Sequence, residues 1–158
     1  MGRKTAYIEM NTTNEIQSLS PKEERLPFCH MGIDIFPCKS VTSLPEILRL
    51  DYEYFVIDMA VLNTYTAKEF SRCDKQFIVC SFSKWKRART TARLKQLLNT
   101  TMIQQEHVTI LENFSMKESK LSMSSMGHSK VLPFPFVQNP FQLDICLFHA
   151  LNQILKGV

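Results

Sequence analysis

The sequence predicts an α/β fold, in which helices flank a mainly parallel sheet in three layers. Apolar runs of strand length alternate along the chain with segments of helical periodicity, which is the order expected of βαβ units. Two of these runs, within Tyr54–Asp58 and Gln76–Cys80, hold four successive apolar residues. Such runs are typical of parallel strands that are buried on both faces. The sheet is therefore expected to be covered by helices on two sides.

The first part of the chain contains three strand candidates. Its predicted elements are a strand at Thr5–Met10, a loop at Asn11–Asn14, a short helix capped by Asn14 and ending at Leu19, an exposed connection at Ser20–Arg25, a strand at Gly32–Pro37, a helix from Ser43 to Leu50 and a strand at Tyr54–Asp58. Gly32–Pro37 alternates apolar and polar residues, which favours a half-buried or edge strand. Ser43 is expected to cap a helix because Pro45 follows in its first turn.

The second part continues the alternation. Its predicted elements are a helix at Ala67–Ser71, a strand at Gln76–Cys80, a helix at Ser83–Leu98, a strand at His107–Leu111, a mobile loop over 115–130, an extended piece at Val131–Phe136 and a closing helix at Phe141–Leu155. The longer helix has apolar residues at Ala88, Ala92, Leu94, Leu97 and Leu98. The closing helix has them at Leu143, Leu147, Ala150, Leu151, Ile154 and Leu155. In the loop, Met116, Met123 and Met126 are either gap-fillers or an adaptable contact surface.

Length and composition describe an ordinary globular protein. The chain has 158 residues, 44% of them apolar and 22% charged, so a single domain over 1–158 with its own core is expected. No run approaches the roughly 20 apolar residues that span a bilayer. The first residues offer no apolar signal core. These features predict a cytoplasmic protein without a transmembrane segment.

The five cysteines do not form a recognisable framework. Their number is odd and their spacing wide, which disfavours both a disulfide scaffold and a CxxC site. Cys29, His30 and Cys38 supply three possible metal ligands, whereas a structural zinc site takes four. Reduced, mostly buried thiols are expected.

Asp58 is placed where a buried strand ends. In open α/β folds, the carboxyl edge of the sheet is where ligands bind. In nucleotide-hydrolysing folds an Asp at this position organises magnesium, while a glycine-rich loop holds the phosphates. The four glycines of this chain, Gly2, Gly32, Gly127 and Gly157, are isolated, so no such loop is present in it. The alternative for Asp58 is to accept backbone N–H bonds in the loop after its strand.

A basic run accounts for the net charge of +4. Its members are Lys84, Lys86, Arg87, Arg89, Arg93 and Lys95, with no acid among positions 84 to 95. The rest of the chain has 13 basic and 15 acidic residues, a balance of −2. Cations in the opening turn of a helix oppose its dipole, which points to an anionic partner such as nucleic acid, an anionic membrane surface or an acidic protein. Trp85 could stack on a base or lie at a lipid interface. The alternative is a solvated helix face with Trp85 packed against a neighbour.

Five short motifs, in order, resemble the MinD/ParA group of P-loop ATPases, the deviant Walker A class. The motifs are Lys4–Asn11, Ile47–Asp58, Phe77–Cys80, Val108–Asn113 and Leu132–Phe136. The second is similar to the family stretch that delivers the Walker B Asp, and the last to the piece before the final helix. The resemblance covers nearly the whole chain. It implies a P-loop NTPase-like, Rossmann-like fold truncated before its phosphate-binding segment, because the family's first strand, glycine-rich loop and lysines would precede Met1.

The resemblance also implies roles for individual residues. Asp58 would be the Walker B-like residue that places a magnesium ion. Asn113 would read an adenine base, or would simply end its strand, as Asn commonly does. Glu9 could face the same edge as Asp58 or point outward from its strand. Where the family has a pair of aspartates, this chain has Glu9-Met10-Asn11, and Met59-Ala60-Val61 replaces the usual turn after the Walker B Asp. No catalytic residue is assigned beyond the Asp58 candidate.

Three functional hypotheses follow. The preferred one is a degenerate MinD/ParA-like protein without hydrolytic activity, which binds a protein partner or itself within a bacterial assembly, positioning or partition system. In the second, the chain is the C-terminal fragment of an active ATPase, and only then would ATP and magnesium be its cofactors. The third is a nucleic-acid-binding module that uses the basic helix over 84–95. An uncovered sheet edge or apolar face would require a partner chain, a rearranged sheet or self-association.

Overall fold

The protein is described by a computed structural model over residues 4–10, 15–20, 27–37, 41–99, 103–113, 129–137, 142 and 144–156. It divides into two compact units, residues 1–70 and 71–158, each with its own sheet. The described pairings are parallel except for one hairpin, and α-helices connect β3 to β4, β4 to β5 and β5 to β6, so the predicted α/β class is confirmed. A single domain spanning 1–158 stays a prediction.

The first unit contains a four-stranded sheet with the order β2-β3-β1-β4. Its strands are β1 (Thr5–Glu9), β2 (Phe28–His30), β3 (Ile33–Pro37) and β4 (Tyr54–Asp58). β1 pairs in parallel with both β3 and β4, and Glu9 is the register partner of Asp58. β3 therefore lies inside the sheet. Its sequence pattern had been interpreted as that of either a half-buried strand or an edge strand.

The hairpin between β2 and β3 is a feature that the sequence analysis missed. The two strands pair antiparallel through a two-residue turn, and Met31 (φ 50°) and Gly32 (φ 82°) both have a positive φ. Two-residue hairpins favour such turns because their twist matches that of the flanking strands. Glycine adopts this conformation readily, but methionine does so rarely, so the pair is not an obvious turn signal.

Short helices complete the first unit. They are 3-10 turns at Glu15–Leu19 and Val41–Ser43, α1 (Leu44–Ile47) and α2 (Thr64–Phe70). Leu44 and Ile47 of α1 pack with Ile8 against one face of the sheet, together with Met10, Phe36, Phe55 and Ile57. Ser43 precedes α1 but makes no side-chain capping bond, because its backbone is already helical (φ −84°, ψ −16°). The helix predicted to reach Leu50 ends at Ile47.

The expectation that Tyr54–Asp58 is buried on both faces is wrong. Phe55 and Ile57 pack against the buried cluster that contains Leu44 of α1. Tyr54 and Val56, on the opposite face of the strand, are 46% and 52% exposed. Among the described residues, β4 is also the last strand of its sheet. Its apolar composition is that of a central strand, but its position is that of an edge strand.

The second unit contains a three-stranded parallel sheet with the order β5-β6-β7. Its strands are β5 (Gln76–Cys80), β6 (Val108–Asn113) and β7 (Lys130–Phe134). Full burial was also expected for β5, but Val79 is 63% exposed. The predicted extended piece proves to be a paired strand. It accommodates Pro133 because β7 lies at the sheet edge, where a missing N–H is tolerated.

Two helices of the second unit begin later than predicted, and a 3-10 turn lies between them at Gln105–His107. α3 (Arg87–Leu98) follows a turn in which the Ser83 carbonyl accepts bonds from the N–H groups of Lys86 and Arg87. Leu94 and Leu98 are buried in α3, but Ala88 and Ala92 are exposed, so its apolar side is narrower than expected. α4 (Ile145–Lys156) begins where the Asp144 carboxylate accepts the N–H of Leu147 at 2.6 Å.

Several predictions concern residues that the structure does not describe. These are Asn14, most of the 20–25 connection and of the 115–130 loop, the three loop methionines, Phe141, Leu143 and Cys38. The thiols were expected to be mostly buried, but Cys29 and Cys146 are exposed and Cys73 and Cys80 are half-buried. Among the described helices, none is long and apolar enough to cross a bilayer.

Candidate functional site

The candidate site is the carboxyl edge of the first sheet. Because β1, β3 and β4 run in parallel, they end together at Glu9, Pro37 and Asp58. Glu9 and Asp58 are register partners, and the N–H of Met10 donates to the carbonyl of Asp58 at 2.8 Å. Adjacent parallel strands lie about 4.8 Å apart, so the two carboxyl-bearing residues are neighbours at this edge.

Both carboxylate oxygens of Asp58 accept hydrogen bonds. The hydroxyl of Tyr7 donates to Oδ2 at 2.9 Å, and the N–H of Ala60 donates to Oδ1 at 2.8 Å. Ala60 has a φ of 50°, in the left-handed region that is costly for residues other than glycine. The Asp58 side chain thus closes an Asx turn immediately after β4.

Glu9 is directed into the protein. Its side chain is 3% exposed, and its Oε1 atom accepts the N–H of Ile16 at 3.3 Å. Glu9 therefore connects the end of β1 to the 3-10 turn that follows it. An outward-pointing Glu9 was one of the two alternatives from sequence, and the structure places the side chain inside.

The side chains at this edge can be compared with the ligands that a magnesium ion requires. Magnesium is generally held by one or two carboxylates together with phosphate oxygens and waters. Asp58 already bonds Tyr7 and Ala60, and Glu9 is buried against Ile16. Among the residues that the structure describes, no group of three or more His, Cys, Asp or Glu side chains could hold a metal. The donors therefore do not fit a magnesium ion held by this chain's side chains alone, and a metal role for Asp58 stays a prediction.

Tyr7 is the residue of this edge that sequence reasoning missed. It lies two residues before Glu9 on β1 and is the register partner of Val56. Alternation along β1 places Tyr7 and Glu9 on one face. That signal was available in the sequence, but the pairing of Tyr7 with Asp58 depends on the register between β1 and β4, which no local pattern specifies.

The second unit places Asn113 at the end of β6. Its register partner is Phe134, and the preceding residue, Glu112, is the partner of Cys80 on β5. Glu112 is buried, and it was not singled out from the sequence. Burial, with a smaller contribution from the Glu112 charge, raises the pKa of Cys80 to about 12. Cys80 is therefore a neutral thiol at physiological pH. An adenine-reading role for Asn113 stays a prediction.

The basic residues divide into a turn and a helix. Lys84, Trp85 and Lys86 form the turn before α3, and Trp85 is 83% exposed rather than packed against a neighbour. Lys86, Arg89 and Arg93 are exposed and follow the i, i+3, i+7 spacing of one helical face; these three residues are termed the basic stripe. Arg87 is half-buried, and its Nε donates to the carbonyl of Phe82 at 3.4 Å. Arg87 is therefore partly structural.

The comparisons with known proteins support the fold. No protein-family model and no curated protein matches the sequence. Among solved structures, the chain is similar to the ParA family ATPase from Chlorobium tepidum TLS, at 15% identity and a TM-score of 0.57. The match covers 100% of this chain and 80% of that one. The chain therefore has a ParA-like, P-loop NTPase-like fold, as its resemblance predicted, and at this identity the likeness concerns the fold alone.

Proposed function

We propose that this protein uses a ParA-like fold to bind a protein partner and does not hydrolyse nucleotide by itself. It acts in the cytoplasm, within a bacterial assembly, positioning or partition system. One observation carries the proposal: the two acids at the carboxyl edge of the first sheet already accept hydrogen bonds from this chain, Asp58 from Tyr7 and Ala60, and Glu9 from Ile16.

Phosphoryl transfer depends on phosphate positioning and on a metal ion that neutralises the developing charge. The 158 residues contain only isolated glycines, so they provide no glycine-rich loop whose N–H groups could surround phosphates. An Asp at a strand end cannot replace that loop, because a carboxylate repels phosphate unless a cation lies between them. The fold thus supplies a scaffold, and the proposed function resides in its surfaces.

The test is thermal unfolding of the purified chain with and without ATP and magnesium. A ligand at one hundred times its dissociation constant stabilises the native state by about 2.7 kcal/mol. For a chain of this size, that corresponds to a rise in Tm of roughly 5–10 °C. We expect no such rise here. The ParA family ATPase from Chlorobium tepidum TLS serves as a positive control in the same buffer.

Two results together would contradict the proposal. They are a rise in Tm with ATP and magnesium, and phosphate release above the blank that disappears in Asp58→Asn. The substitution removes the charge but keeps an oxygen for the Ala60 N–H, so loss of activity would implicate the carboxylate. That outcome would favour the hypothesis of an ATPase fragment.

A second candidate function is nucleic-acid binding by the basic stripe. The observation that favours it is Trp85, which is 83% exposed beside three exposed cations. They belong to the run over 84–95, whose six basic residues leave the rest of the chain with 13 basic and 15 acidic residues. Exposed cations bind phosphates by releasing counterions, and an aromatic ring can stack on an unpaired base. Single-stranded DNA or RNA is therefore the nucleic acid that this surface fits.

We expect the triple variant K86E/R89E/R93E to lose binding to fluorescent single-stranded DNA and to flatten its salt dependence, because the charges that displace counterions are removed. Arg87 is left unchanged because of its bond to Phe82. The matched control, K68E/K75E/K130E, changes the net charge equally at exposed lysines elsewhere in the chain. Fluorescence anisotropy at several salt concentrations measures the effect. Equal loss of binding in both variants would show a general charge effect and eliminate the basic stripe as a site.

A further inference from the structure

Trp85 lies in a turn that hydrogen bonds hold in place. The Ser83 carbonyl accepts the N–H groups of Lys86 and Arg87 at 2.8 and 2.9 Å. The Ser83 N–H in turn donates to the Ser81 hydroxyl at 3.4 Å. The indole, the only one in the chain, is nevertheless exposed to solvent. Because the backbone beneath it is already ordered, contact between the indole and a ligand costs little further conformational entropy.

Two neighbouring rows of exposed side chains run from this turn along α3. One row is the basic stripe. The other row repeats the same i, i+3, i+7 spacing one residue earlier and consists of Trp85, Ala88 and Ala92. Because a methyl group projects little from the helix, this second row leaves a shallow space beside the cations, with the indole at one end.

The two rows match the chemistry of a single nucleic-acid strand, which has phosphates on one side and bases on the other. Phosphates bind to a row of cations by releasing counterions, and the flat face of any base can stack on an aromatic ring. In a duplex, each base is already stacked between its neighbours and has to leave the stack before a side chain can reach its face. The cations therefore fit either form of nucleic acid, whereas the indole fits only an unpaired base.

We propose that Trp85 is the residue that makes this surface select single-stranded over double-stranded nucleic acid. The basic stripe contacts successive phosphates, the indole stacks on one base, and the following bases lie over Ala88 and Ala92. The inference rests on the second candidate function above, to which it adds the residue that contacts a base and the direction in which the strand runs along α3.

Fluorescence anisotropy with a labelled oligothymidylate, alone and in a duplex with oligoadenylate, tests the proposal. W85A should lower the affinity for the single strand about fivefold or more, because the stacking of one base is lost, and should leave the affinity for the duplex unchanged. W85F keeps an aromatic ring and should retain most of the binding. The matched control is Y65A, at another exposed aromatic residue, and it should bind like the wild type.

Salt dependence separates the indole from the cations. Three phosphate contacts on a single strand give a slope of about −2 for the logarithm of the binding constant against the logarithm of the salt concentration. W85A should keep this slope because it removes no charge, whereas K86E/R89E/R93E should abolish it. Single-strand binding that W85A leaves unchanged, or equal affinity of the wild type for the two forms, overturns this inference and leaves the nucleic-acid function in place. Absence of binding to every oligonucleotide removes both.

Intrinsic fluorescence gives a direct readout, because the chain has a single tryptophan. Saturating oligothymidylate should quench the emission of Trp85, and oligouridylate should do so with similar affinity, since phosphates and base faces are common to DNA and RNA. A preference of about tenfold or more for RNA would show a contact with the 2′-hydroxyl group and overturn binding through phosphates and base faces alone. A blue shift with phosphatidylglycerol vesicles, without a response to either oligonucleotide, would overturn the proposal in favour of an anionic membrane surface.

Discussion

Tyr52 shows how a single side chain organises the amino end of the first sheet. Its ring makes edge-to-face contacts with Phe36 and Phe55, with centroids 5.8 and 5.7 Å apart. Its hydroxyl donates to Oδ2 of Asp34 at 2.8 Å, and the Nζ atom of Lys4 lies 4.6 Å from the ring centroid. The hydrogen bond to the Asp34 carboxylate, followed by burial, raises the pKa of Tyr52 above its ordinary value. Tyr52 thus connects β3, β4 and Lys4.

Tyr52→Phe tests this arrangement through the pH dependence of stability. In the native state the phenol loses its proton less readily than in the unfolded chain. Its contribution is therefore fully present below about pH 10 and is lost as the pH rises through the folded-state pKa. We expect Tyr52→Phe to lower the free energy of unfolding by about 1 kcal/mol at pH 7, because one hydrogen bond is lost. Its deficit relative to wild type should shrink at high pH.

Urea unfolding at several pH values measures both effects. The control is Tyr65→Phe, at a tyrosine that is 81% exposed, and it should leave the free energy of unfolding unchanged. A deficit in Tyr52→Phe that stays constant as the pH rises would contradict the prediction, because it would show that ionisation of the Tyr52 hydroxyl does not affect the stability difference.

At the scale of the element, α2 shows how a cap determines where a helix begins. The Asn63 Oδ1 atom accepts the N–H groups of Tyr65 and Thr66 at 2.9 and 3.1 Å. In return, the Thr66 hydroxyl accepts the Asn63 N–H at 3.0 Å. This reciprocal pair resembles a capping box and starts the helix at Thr64. The sequence predicted a start at Ala67 because Asn63 and Thr66 were not read together as a cap.

Asn63→Ala should therefore destabilise the protein by about 1 kcal/mol, since it removes the acceptor for two N–H groups at the start of a seven-residue helix. Asn63→Asp keeps an oxygen acceptor and adds a charge that the helix dipole favours, so it should retain most of the stability. Both values come from urea unfolding at neutral pH. Equal losses in the two variants would show that the amide group, and not the cap, is what the protein requires.

The strands illustrate what a local pattern can specify. Tyr54–Asp58 and Gln76–Cys80 were predicted with the bounds that the structure has. Their apolar runs were taken to mean burial on both faces, yet Val56 and Val79 are more than half exposed. An apolar run specifies a strand because it fits the pleated backbone, but burial depends on which elements cover that strand.

At the scale of the whole molecule, the fold was predictable because many weak signals agree. The order of the strands and helices along the chain led to the ParA-like resemblance, and the solved structure of a ParA family ATPase confirms it at the level of fold. The division into two units with separate sheets was not predicted. Strand order depends on long-range pairing, which no window of sequence contains.

The edges of the two sheets follow from the same topology. β4 ends the first sheet and β5 ends the second, although only α2 and its flanking turns separate them in the chain. β4 and β5 are thus edge strands of the described sheets, although their apolar composition is typical of strands inside a sheet.

The sequence alone determined the class of the fold, the positions of most strands, and the placement of Asp58 at a strand end, because these follow from periodicity and composition within a few residues. The tertiary structure decided how Asp58 is used. The register of β1 against β4 brings Tyr7 to its carboxylate, and the turn brings Ala60. It also decided that Glu9 points inward and that β4 is an edge. These are outcomes of pairing between residues far apart in the chain, which local chemistry does not specify.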